Sequence, residues 1–250
     1  MTDEEARQQL AIYYAEAFGK EPGLLQQPGI HLTTISMQQA LAPFFKNSAL
    51  IIHAPIRADH LRPCIFMAHP QLLRPLRSFL AEMTIEQVFD ARALEHLTGL
   101  VSAEFPGASV PPGGLLIISR FVTRASFSPF HSPESAGVER LDERTITHVL
   151  LLSRYSGGVY VLRDADKQIA SRAGIRRESE HVWEIGVRTE VEALRGRGLA
   201  KTVVSAATEA ILEAGRVPLY VHSATNVISE RVALALGYQH YADQLLWYLP

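Results

Sequence analysis

Residues 194–201 read Leu-Arg-Gly-Arg-Gly-Leu-Ala-Lys, and this stretch constrains the chain more than any other. It follows an apolar run, Val-Trp-Glu-Ile-Gly-Val at 182–187, and precedes a segment with helical spacing, so it reads as a turn joining a strand to a helix. A helix beginning near Gly198 leaves its first amides unpaired, and those amides with the helix dipole make a site for an anion. Gly196 and Gly198 let the backbone approach phosphate oxygens closely, Ala200 is small, and Arg195 and Arg197 add positive charge. Two common phosphate loops do not fit. The P-loop requires glycine where Arg195 and Ala200 stand, and the dinucleotide fingerprint requires a small residue where Lys201 stands.

The 250 residues are 47% hydrophobic, enough for one large domain or two small ones. A net charge of −2 provides no basic field for nucleic acid or anionic lipid, so neither is an expected partner. No apolar run approaches the ~20 residues needed to span a bilayer. The N-terminus, Met-Thr-Asp-Glu-Glu, lacks the basic-then-apolar order of a signal peptide, and the expected location is the cytoplasm. Cys64, the sole cysteine, reads as a buried apolar residue.

Helical spacing predicts helices over residues 4–18, 72–83, 93–101, 145–155, 198–215 and 226–236. Short apolar runs predict strands at 49–56, 64–68, 157–164, 167–177, 181–188, 218–222 and 244–250. The stretch 126–136, rich in Ser and Pro, reads as a linker. It separates a smaller α/β domain at 1–125 from a second domain at 137–250.

Arg195, Gly198 and Ala200 meet the pattern R-x-x-G-x-A, which resembles the pyrophosphate-binding motif of the GNAT acyltransferase superfamily. Asn226, Ser229, Gly237 and Tyr238 resemble that family's second coenzyme element, N-x-x-[AS] followed by a helix and an aromatic after glycine. Taken singly, Asn226 is a good helix cap and Gly237 a good helix stop; it is the joint arrangement that carries the resemblance. The resemblance covers residues 137–250 and implies an α/β (α+β) fold with a mixed central sheet flanked by helices. It implies an N-acetyltransferase using acetyl-CoA and a primary amine, most readily of a small molecule. It further implies that Val187 and its neighbours bond the pantetheine arm, that Arg195, Arg197, Gly198, Leu199 and Ala200 hold the pyrophosphate, and that Asn226 and Ser229 contact the pantetheine end.

Direct attack requires a base for the amine proton, and Glu184 is the first candidate, with His181 second. The family's usual tyrosine acid, seven residues after the asparagine, is here Ala233. Tyr238, His240, Tyr241 or His222 are the candidate substitutes, with Tyr238 first; a thiolate of ordinary pKa near ~8.5 also leaves unaided. No metal is expected, because the histidines form no H-E-x-x-H and one cysteine builds no thiolate site. Two other readings stay open: an acyl-CoA-binding regulatory module without turnover, and a transferase acting on protein amines. A homodimer is a common state for such chains, with no stretch marking its interface.

Overall fold

The computed structural model describes residues 1–35, 45–56, 62–133, 137–141 and 155–250. Two compact units divide the chain. Unit 1 comprises Met1–Leu10, Arg120–His222 and Val227–His240; unit 2 comprises Ala11–Ser119, Ser223–Asn226 and Tyr241–Pro250. These are not the consecutive stretches 1–125 and 137–250 that the composition suggests. Local chemistry accounts for the interleaving. The first helix, α1 (Asp3–Phe18), begins in unit 1, where the Asp3 carboxylate accepts hydrogen bonds from Thr123 at 2.7 Å and Gln239 at 2.8 Å. The last strand, β10 (Gln239–Tyr248), is antiparallel to β2 (Ser48–Pro55) from Ala242 onward, which assigns the C-terminus to unit 2.

In unit 2, β2 also pairs antiparallel with β3 (Pro63–Ala68), and β3 pairs parallel with β1 (Gly29–Thr34). Both β2 and β3 are buried along their whole length, consistent with the unbroken apolar sequence of β3 and with that of β2, which only Ser48 and His53 interrupt. Helices α2 (Leu73–Leu80), α3 (Ile85–Val88) and α4 (Ala91–Glu104) supply Leu76, Val88, Leu97 and Val101 to a core shared with Ile52, Phe66, Leu245 and Trp247. Strand β1, Gly-Ile-His-Leu-Thr-Thr, escapes the sequence reading because its apolar content is too low to signal a strand. Cys64 is fully buried in this core, which pushes its thiol up to about 12.

In unit 1, strands β5 (Glu139–Leu141), β6 (Gly158–Arg163), β7 (Ile169–Arg177) and β8 (Val182–Thr189) form an antiparallel series. Strand β9 (Val217–Ser223) then runs parallel to β8 after the crossover helix α5 (Leu199–Glu213), so the sheet is mixed. A parallel neighbour needs such a crossover, and the buried stripe Val203, Val204, Ala207, Ile211 lays α5 on this sheet. Helix α6 (Val227–Ala235) follows β9, and β4 (Leu116–Phe121) leads into unit 1. The expected helix at 145–155 falls almost wholly outside the described residues.

Residues 126–133 form no helix or strand, and they are anchored. The amides of Phe130 and Ser132 donate to Ser205 Oγ at 2.9 Å and Thr202 Oγ1 at 3.0 Å on α5. Buried hydroxyls on a helix face need such partners, so this segment serves as a cover for α5 rather than a free spacer. Among the described residues, no helix is long and apolar enough to cross a membrane.

Candidate active site

Strands β8 and β9 share four rungs, from Val182 opposite Val217 to Ile185 opposite Tyr220. Beyond them β8 continues through Gly186 to Thr189 while β9 continues through Ser223, and no further rung joins the two among the described residues. On its other edge β8 remains paired with β7 as far as Thr189. Main-chain groups alternate between the two edges of a strand, and the His181 carbonyl faces β9, so Val187 and Thr189 present theirs to whatever extended group lies in the fork.

The fork leads along β8 to the glycine turn. Gly198 caps α5 at φ +80, a left-handed conformation natural to glycine, and no side chain caps the helix. The first intrahelical bond is Thr202 amide to Gly198 carbonyl at 3.0 Å, so the amides of Leu199, Ala200 and Lys201 precede the ladder. The first turn holds no acidic residue. Arg195 and Arg197 are exposed beside it, Arg195 being paired with Glu192 at 3.1 Å. The loop is braced from behind: Ser132 Oγ donates to the Arg197 carbonyl at 3.2 Å, and Lys201 Nζ lies 3.7 Å from the centre of the Phe130 ring. Sequence reading marks the glycine turn but misses this brace, because the partners lie some 70 positions apart.

Glu184 lies two residues before the fork, largely buried, and forms an ion pair with Arg176 on its partner rung. Burial pushes its carboxyl up to about 7; Arg176 opposes the shift and the nearby Glu178 adds to it. A carboxylate that titrates near neutrality suits a general base. His181 sits outside β8, before the first rung, where its carbonyl accepts from the Val217 amide at 2.8 Å. It is therefore five positions from Gly186, and Glu184 is the better placed of the two.

Tyr238 does not serve as an accessible acid. It is 2% exposed, its hydroxyl lies 2.7 Å from Thr208 Oγ1 and its ring packs 5.5 Å from that of Tyr220, so burial holds the phenol well above its ordinary range. Ala233 is also fully buried in this core. His222 is engaged too: Arg120 Nε donates to His222 Nε2 at 3.0 Å, and Arg120 Nη2 is paired with Glu230 at 2.7 Å. A ring nitrogen that accepts from arginine carries no proton, so His222 is held as the Nδ1–H tautomer. Ser229 on α6 bears on the Tyr220 hydroxyl, whose burial pushes it up to about 12. Asn226 immediately precedes α6, with its amide bonded to the Ser223 carbonyl at 2.9 Å, and is grouped with unit 2. Among the described residues, no cluster of three His, Cys, Asp or Glu side chains could hold a metal.

Residues 153–243 match the family model described as GNAT acetyltransferase. That match assigns residues 153–243 to the GNAT superfamily. A GCN5-related N-acetyltransferase from Kribbella flavida shares the fold at 14% identity and TM-score 0.50, over 97% of this chain and 95% of that one. A Drosophila protein does so at 13% identity and TM-score 0.50, over 86% and 77%. A GNAT-family acetyltransferase from Novosphingobium aromaticivorans matches at 25% identity and TM-score 0.44, over 58% and 69%. No curated protein matches the chain. Within residues 153–243, the forked strands are β8 and β9 and the helix after the glycine turn is α5. Membership implies acyl transfer.

Proposed function

We propose that this GNAT chain is an N-acetyltransferase that moves the acetyl group of acetyl-CoA to a primary amine of a small molecule. The observation that carries the reading is the fork between β8 and β9, whose open β8 edge leads directly to the uncapped start of α5. An extended pantetheine suits the first and a pyrophosphate the second. Arg195, Arg197, Gly198, Leu199 and Ala200 would hold the pyrophosphate, Val187 the pantetheine amides, and Asn226 and Ser229 its far end.

The amine nitrogen attacks the thioester carbonyl carbon, forming the C–N bond, while a β8 backbone amide stabilises the oxyanion. Glu184 takes the amine proton; the C–S bond then breaks and the thiolate departs. Tyr238 and His222 are both engaged elsewhere, and a thiol of ordinary pKa near ~8.5 leaves without help from either.

The test is free-thiol release from acetyl-CoA with amino acids, polyamines, aminoglycosides and peptides, comparing wild type with Arg197→Glu. The exposed position makes that charge reversal tolerable to the fold. Turnover that weakens through coenzyme KM in the variant supports the reading. Coenzyme binding without turnover on any amine would replace it with the regulatory-module reading, which Ala233 favours by lacking the family's phenol at that position. Turnover on peptides alone would move the acceptor to protein amines.

A further inference from the structure

Gly174 and Gly186 face each other as direct partners inside β7 and β8. Glycine within a strand weakens it and marks the close approach of another group. Here that group is Tyr155. A methyl group at Gly174 would fall within its ring, and one at Gly186 would stand 3.0 Å from its hydroxyl oxygen and 3.2 Å from Cε1. The ring thus spans the glycine pair, its Cγ end at β7 and its hydroxyl end at β8. Leu141, Val159 and Val161 complete the seat, and Tyr155 is 6% exposed.

The seat points the side chain toward the reacting end of the site. Gly186 is the first β8 residue beyond the last rung to β9, where the strands part. Glu184 stands two residues earlier and therefore on the same face of β8 as the Tyr155 ring. Arg176, the partner of Glu184, is likewise two residues from Gly174. Two residues along a strand span ~7 Å.

We propose that the Tyr155 hydroxyl is the second hydrogen-bonding partner of the attacking amine, Glu184 being the first. The proposal rests on the acetyl-transfer reading above. A neutral primary amine has two N–H groups. One proton passes to the Glu184 carboxylate as the C–N bond forms; the other N–H donates to the Tyr155 oxygen, which keeps its own proton throughout. A secondary amine has one N–H and leaves one of the two oxygens unmatched, so Tyr155 selects primary amines.

Tyr155→Phe keeps the ring in its seat and removes only this oxygen. The expected result is a ten- to hundredfold fall in kcat/KM for each active primary amine, coenzyme affinity within twofold of wild type, and a collapse of the preference for each amine over its N-methyl counterpart. Unchanged kcat/KM and unchanged preference would overturn the proposal, as would equal losses of turnover and coenzyme affinity, which mark a purely structural tyrosine. A second measurement needs no acceptor. In protein carrying 3-fluorotyrosine, the fluorine resonance missing from Tyr155→Phe is expected to move when acetyl-CoA is added. A resonance that stays fixed while acetyl-CoA binds also overturns the proposal. Failure of acetyl-CoA to bind, read by calorimetry, instead removes the acetyl-transfer reading and this one with it.

Discussion

Glu184→Gln removes one titratable proton beside the fork while preserving the shape of the side chain and an acceptor for Arg176. With its carboxyl at about 7, Glu184 is roughly one-tenth ionised at pH 6 and roughly nine-tenths at pH 8. If the ionised form is the base, kcat/KM of the wild type gains about tenfold across that interval from this group alone, because kcat/KM reports groups of the free enzyme. The Gln variant is expected to lose that limb and, at pH 8, to be slower by about a hundredfold or more, the usual worth of a positioned base. The amine's own ionisation adds a second rise, but it is common to both proteins and cancels in their ratio. The assay is thiol release between pH 5.5 and 9. Cys64 is buried with its thiol pushed up, so it does not compete for the thiol reagent. A ratio of wild type to variant that stays flat from pH 6 to 8 would refute the assignment. The same shift has a stability consequence. A carboxyl whose folded pKa is raised contributes stability that is complete below its unfolded value of 4.5 and is lost as pH rises through about 7. The loss is about 3 kcal/mol, and Glu184→Gln is expected to abolish that pH dependence.

Arg176→Met removes the charge that restrains Glu184, so the rate limb is expected to move to higher pH, visible in the same profiles. Glu230→Ala leaves the buried Arg120 without its carboxylate, while Arg120→Met frees a Glu230 that is one-third exposed and can be rehydrated. Urea unfolding is therefore expected to show about 3 kcal/mol of loss for the first and clearly less for the second. His53 is fully buried, with Gln244 Nε2 at 3.0 Å from its Nδ1, and burial pushes it down to about 3. Its contribution to stability is complete above the unfolded value of 6.5 and is lost as pH falls toward 3, so unfolding at pH 5 is expected to cost about 2 kcal/mol less than at pH 7.

Much of this molecule is legible from local sequence. Periodicity finds α1, α5 and the three antiparallel strands β6 to β8, because each element buries a face with its own repeat. The glycine turn at 194–201 announces an anion site, since the orphan amides of a helix start depend only on neighbouring residues. Glu184 can be named from its place in the strand before that turn. Its titration near neutrality cannot, because burial and the competing charges of Arg176 and Glu178 are set by the fold.

Tertiary structure alone decided the rest. It showed that β8 and β9 part after Ile185, since register is a property of two strands brought together across a crossover. It withdrew Tyr238 from the chemistry by pairing it with Thr208, thirty residues away. It placed the two ends of the chain with partners far along the sequence, Asp3 with Thr123 and β10 with β2. The reason for the glycines at 174 and 186, the ring of Tyr155, lies across space. Sequence therefore marked the glycine turn and the strand before it as the expected coenzyme site; which side chains face that place was fixed by packing between elements that no local pattern connects.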